Sequence, residues 1–134
     1  MKNILGIDVG QKRIGIAISR DGIVSSFGII SNFDLDQAIV EIGQIIRKEQ
    51  VLKIIIGVPK NKNTLQADKI HKVAIELAKK LNILIEYVDE SFTSSEAERI
   101  LKNSNLDPKT EKYKEEIDKI SAKLILEQYL NNND

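Results

Sequence analysis

Apolar and small or polar positions alternate from the start of the chain. Leu5, Ile7 and Val9 share one face of an extended segment, and Gly6, Asp8 and Gly10 share the other. After a Gly10-Gln11-Lys12-Arg13 turn, Ile14, Ile16 and Ile18 alternate with Gly15, Ala17 and Ser19. Two neighbouring strands thus each have one bulky face and one nearly bare face. Asp21-Gly22 is a strong hairpin signal, so residues 23–30 read as a third antiparallel strand.

The period then changes. Asp34 with Gln37 three residues on resembles a capping box, and Leu35, Ala38, Ile39, Ile42, Ile45 and Ile46 keep helical spacing. Leu52–Val58 is a continuous apolar run apart from Lys53, which predicts a strand buried on both faces. Ile70, Val73, Ala74, Leu77 and Leu81 define a second amphipathic helix with Lys72, Lys79 and Lys80 opposite. Ile83–Val88 reads as a fifth strand, and Ser94–Lys102 as a short helix capped by Thr93 or Ser94. Ser104–Lys114 is polar, contains Asp107-Pro108, and reads as a mobile loop. The last helix is Glu115–Leu130 with a stripe of Ile117, Ile120, Leu124 and Ile125, and 131–134 is a frayed polar tail. The order β-β-β-α-β-α-β-α-α predicts an α/β fold: a mixed five-stranded sheet, three antiparallel strands and then βα units, flanked by helices. Residues 1–130 are expected to form a single domain.

Composition narrows the chemistry. The 134 residues are 42% hydrophobic and 30% charged, with no cysteine, which removes disulfides, thiolate zinc sites and cysteine nucleophiles together. No apolar stretch reaches membrane-span length and no signal-peptide pattern opens the chain, so a cytoplasmic protein without a membrane partner is expected. Formal charge is zero but unevenly spread: residues 47–80 hold nine basic against three acidic side chains, and 81–134 hold seven against twelve. A basic middle and an acidic end suit a phosphate-binding surface beside a carboxylate site, although a solvated lysine-rich helix face is the plainer reading of the charge alone. The single histidine, His71, lies in the basic helix and reads as solvated.

Three carboxylates stand out. Asp8 interrupts a strand between Gly6 and Gly10, where a charge is expensive to bury and a ligand or backbone approaches closely; capping the turn at Gly10 is its structural alternative. Glu90 follows a strand end, where open α/β sheets place ligand groups, but spacing alone does not choose between it and Asp89. Asp118 falls about 90° from the apolar stripe of the last helix and so borders its buried face. Three converging acids repel one another when empty and accept a hard divalent cation. Two such ions activate a water and stabilise the leaving oxygen of a phosphodiester, with no histidine or cysteine required.

Four motifs in order carry a resemblance over nearly the whole chain. They are Leu5-Gly6-Ile7-Asp8-Val9-Gly10-Gln11-Lys12-Arg13-Ile14-Gly15-Ile16-Ala17, Ile56-Gly57-Val58-Pro59, Asp89-Glu90-Ser91-Phe92-Thr93-Ser94, and Ile117-Asp118-Lys119-Ile120-Ser121-Ala122. The chain resembles the YqgF-type pre-16S rRNA nuclease family, which is Holliday-junction-resolvase-like with a ribonuclease H-like fold. The resemblance implies an acidic triad of Asp8, Glu90 and Asp118 holding Mg²⁺ or Mn²⁺, and it selects Glu90 over Asp89. It implies a metal-dependent endonuclease that trims the 5′ end of pre-16S rRNA on the immature ribosomal subunit. Lys12 and Arg13 match basic positions of the first motif, and with Lys60 and Lys62 they are expected to contact phosphate; a surface strand residue is the alternative reading of Arg13.

This sequence departs from the family pattern in two places. Ser91 follows the catalytic glutamate where the family commonly has arginine, whose planar fork a serine does not replace. The loop after Pro59 reads Lys60-Asn61-Lys62-Asn63-Thr64 in place of a usual Asp-Gly turn. Other readings are a resolvase-like nuclease acting on branched DNA and a silent RNA-binding assembly module. The actin-like ATPases share a strand-Asp-x-Gly-strand opening, but they need two domains and a longer chain.

Overall fold

The computed structural model describes residues 3–31, 34–60, 64–90 and 93–132, with the backbone alone at 90, 93 and 94. The elements follow the predicted order: β1 (Asn3–Val9), β2 (Arg13–Arg20), β3 (Ile23–Ser31), α1 (Leu35–Glu49), β4 (Val51–Pro59), α2 (Leu65–Leu81), β5 (Leu84–Glu90), α3 (Thr93–Leu101) and α4 (Glu111–Asn132). The sheet order is β3-β2-β1-β4-β5. The β1–β2 and β2–β3 pairs are antiparallel, and β4 joins β1, and β5 joins β4, in parallel. The Asp-Gly hairpin forms as predicted, with positive φ at both Asp21 (56°) and Gly22 (85°).

The alternation read from the sequence sorts the two faces. Leu5, Ile7, Val9, Ile14, Ile16, Ile18, Ile54, Ile56 and Val58 point into one core beneath α1 and α2. Ala17 and Ile55 point into a second core beneath α4, with Ala122, Ile125, Leu126 and Tyr129. The bare face of β1 and β2 is where α4 lies. A Cβ at Gly6 would stand 2.9 Å from Leu126 Cβ, and one at Gly15 only 2.2 Å from the carbonyl oxygen of Asp118. These glycines therefore admit a helix against the sheet.

Four details differ from the sequence reading. The last helix begins at Glu111, because the Thr110 hydroxyl accepts from the Tyr113 amide and caps a polar first turn that apolar periodicity does not reveal. It also faces the sheet with Ser121, Ala122, Ile125, Leu126 and Tyr129, so that of the predicted stripe Ile125 is buried while Ile117, Ile120 and Leu124 are half-buried. It continues through Asn131 and Asn132, so the expected tail shrinks to residues outside the described range. As its apolar run predicts, β4 is the strand buried on both faces, and β5 is an edge strand carrying exposed Tyr87. His71 is half-buried, edge-on to Tyr87 at 5.4 Å. Among the described residues, no helix is long and apolar enough to cross a membrane.

Candidate active site

Asp8 is the penultimate residue of β1 and shares the face of Gly6, which meets α4. Its antiparallel partner on β2 is Gly15. On the other side, one step beyond the Ile7–Ile56 pair, is Gly57 of β4, buried and of the same parity as Ile55 beneath α4. Asp8 thus stands on a floor with no side chain on either flank. That gives the glycine of the Ile56-Gly57-Val58-Pro59 motif a physical purpose.

Gly15 also fixes the second acid. Because the site of its absent Cβ abuts the backbone of Asp118, the chain brings Asp118 over the Asp8–Gly15 pair. Asp118 lies four residues from Ala122 and seven from Ile125, on the sheet-facing stripe itself, and its side chain is 20% exposed. Burial pushes its carboxyl above the ordinary carboxylate value; the hydrogen bond and charge of Arg13 pull it back, and Glu111 and Glu115 add to the rise. Glu90 is the last residue of β5, in register with Pro59 of β4, at the same sheet end as Asp8. Its side chain is outside the described set, and among the described residues no three acids or histidines are grouped closely enough to hold a metal.

The basic residues divide. Lys12 is exposed in the β1–β2 turn and Lys60 is exposed just past β4, both at the acid-bearing end of the sheet. Lys62 is outside the described residues. Arg13 turns inward: its Nε donates to Asp118 Oδ2 at 2.7 Å and its Nη1 to Glu111 Oε2 at 3.0 Å. Sequence reasoning missed Lys69, which reaches from α2 to donate to the Gln11 carbonyl at 2.6 Å and steadies the turn bearing Lys12. Its position near the start of α2 was the available signal.

The donors placed here are carboxylate oxygens, with neither His71 nor any thiol nearby, which fits a hard, oxygen-preferring divalent cation. A sequence profile of RuvX, described as Holliday junction resolvase, matches residues 2–132. The chain belongs to the RuvX family. RuvX relatives include proteins named "Putative pre-16S rRNA nuclease" from Chloroflexus aggregans, 35% identical over 96% of this chain and 93% of that one, and from Caldanaerobacter subterraneus, 36% identical over 95% and 94%. Among solved structures, Thermus thermophilus RuvC in complex with a Holliday junction substrate superposes with a TM-score of 0.60 at 8% identity, covering 99% of this chain and 97% of that one. The fowlpox virus Holliday junction resolvase gives 0.57 at 11% identity, covering 98% and 99%. The RuvX chain therefore has the resolvase-type, ribonuclease H-like fold expected from its motifs, and its family is one of nucleases.

Proposed function

We propose that this protein is a metal-dependent endonuclease that trims the 5′ end of pre-16S rRNA on the immature ribosomal subunit in the cytoplasm. The observation that carries the reading is the placement of Asp8 and Asp118 together across Gly15, on a side-chain-free floor, at the sheet end that also bears Glu90. These three residues would hold Mg²⁺ or Mn²⁺, which supplies an activated water and charge stabilisation for the leaving oxygen. The chain's own contribution is positional. The sheet fixes Asp8, α4 brings Asp118 over its cross-strand partner Gly15, and both carboxylates are partly shielded from solvent. Lys12 and Lys60, exposed at the rim, would hold the phosphate backbone, and Lys62, outside the described residues, is expected to join them.

The test is cleavage of a labelled RNA spanning the 5′ junction of 16S rRNA, in Mg²⁺, Mn²⁺ or EDTA, by wild type and by Asp8→Asn purified identically. Metal-dependent cutting by the wild type alone is expected, with the variant reduced by several orders of magnitude. Equal cutting by both proteins would remove Asp8 from the site. A four-way DNA junction belongs in the same experiment, because the family is described by junction resolution. Preferential cutting of that junction would change the substrate and leave the site as assigned.

A further inference from the structure

Arg13 is the residue whose position departs most from what its motif suggests. A basic residue next to Lys12 in a turn beside an acidic site reads as a phosphate ligand, and a ligand of that kind presents its fork to solvent. The Arg13 side chain is only 15% exposed, and its Nε and Nη1 are both engaged with carboxylates of α4. We propose that Arg13 is a positioning residue: it acts through Asp118, fixing that carboxylate over Asp8 and fastening the head of α4 to the sheet, and does not hold phosphate. This deepens the nuclease reading above and rests on it.

The geometry is specific to arginine. Glu111 and Asp118 are seven residues apart on α4, two helical turns or roughly 10 Å along the axis. One guanidinium reaches both because its donors diverge from a rigid plane, whereas an ammonium is a single point charge. The bond from Arg13 to Asp118 is made to Oδ2, so the second carboxylate oxygen is not used by Arg13. The starting point of the side chain is also fixed. The Gly10 amide donates to the Arg13 carbonyl at 2.8 Å and closes the turn, and Arg13 pairs with Ser31, whose hydroxyl reaches Glu115 of α4 at 3.3 Å. The stretch from Asp8 to Arg13 therefore supplies one acid of the site and the group that orients another, 105 residues away.

The test separates positioning from phosphate contact by reading metal and RNA independently. Mn²⁺ binding is measured by calorimetry without RNA for wild type, Arg13→Gln, Arg13→Lys, Lys12→Gln and Asp118→Asn. RNA affinity is measured in EDTA across a salt series for the same proteins, and circular dichroism checks folding. Arg13→Gln is expected to bind Mn²⁺ about 10- to 100-fold more weakly, as loss of an orienting partner of a metal ligand does. Its RNA affinity and salt slope should match wild type. Lys12→Gln should do the reverse, keeping Mn²⁺ affinity and losing about 0.7 from the slope for one single-strand phosphate contact. If Arg13→Gln binds Mn²⁺ like wild type and shows the shallower slope, Arg13 is a phosphate ligand and the proposal is overturned.

Should Arg13→Gln fail to fold, Arg13→Lys carries the comparison. A positioning role predicts several-fold weaker Mn²⁺ binding for that variant, and a phosphate role predicts affinity near wild type. Asp118→Asn tells this inference apart from the reading beneath it. If that variant binds Mn²⁺ normally, the carboxylate site itself is wrong and the role of Arg13 falls with it. If it does not bind while Arg13→Gln does, only the Arg13 assignment fails.

Discussion

At Gly15 the sheet and the last helix meet with no room for another atom. A Cβ there would lie 2.2 Å from the Asp118 carbonyl oxygen and 2.7 Å from its carbon, so Gly15→Ala must push α4 outward. Overpacking of this kind costs about 1–3 kcal/mol. Gly28→Ala is the matched control, since its Cβ would meet nothing within 4 Å. Parallel thermal melts should show a clear loss for Gly15→Ala and almost none for Gly28→Ala, and Mn²⁺ binding should weaken only in the first. The importance of these glycines was half legible in the sequence. The bare face of β1 and β2 is visible as alternation, but alternation does not say whether ligand or helix fills it. Here the helix fills it at Gly6 and at Gly15, and at Gly15 it brings Asp118 beside the cross-strand partner of Asp8.

The elements hold their places by different means. At the end of α4 remote from the acids, Tyr129, Lys53 of β4 and Glu86 of β5 form a three-way contact: Lys53 Nζ stands 2.6 Å from Glu86 Oε2, and the Tyr129 hydroxyl donates to the same oxygen at 2.7 Å. The hydrogen bonds from Lys53 and Tyr129 hold the Glu86 carboxyl below its ordinary 4.5. A lowered carboxylate adds stability above its ordinary value and loses it as pH falls through the folded-state value. Glu86→Gln should thus cost about 0.2–1 kcal/mol near neutral pH, a range set by partial exposure. Denaturant melts in an acid series should show the gap to wild type closing below the ordinary value. Strand identity and order were readable from period and from the Asp-Gly hairpin. The orientation of α4 was not, because isoleucines dominate any apolar count while small Ser121 and Ala122 are among the residues buried against the sheet. Its first turn was hidden for a related reason: Thr110 caps it, and no apolar residue marks it before Tyr113.

Across the whole molecule, charge is sorted by layer. Much of the basic middle of the sequence lies on α2, whose exposed Lys72, Lys79 and Lys80 stand on the layer of the sheet opposite α4, and Lys80 is paired with Asp36 and Glu76. The charge run is therefore mostly the solvated helix face that composition suggested. Lys60 and Lys69 are the members of it that the described structure places at the acidic end. In filter binding at moderate salt, Lys60→Gln should weaken RNA affinity several-fold, while Lys72→Gln and Lys79→Gln leave it within error. The sheet is also completed in an order that the chain dictates. Asp8 and Arg13 precede Asp118 in the chain, and 105 residues separate Arg13 from the carboxylate it bonds. Contacts so distant along a chain form late and slowly. All five strands can be in place and Asp118 still be absent from Gly15 until α4 docks.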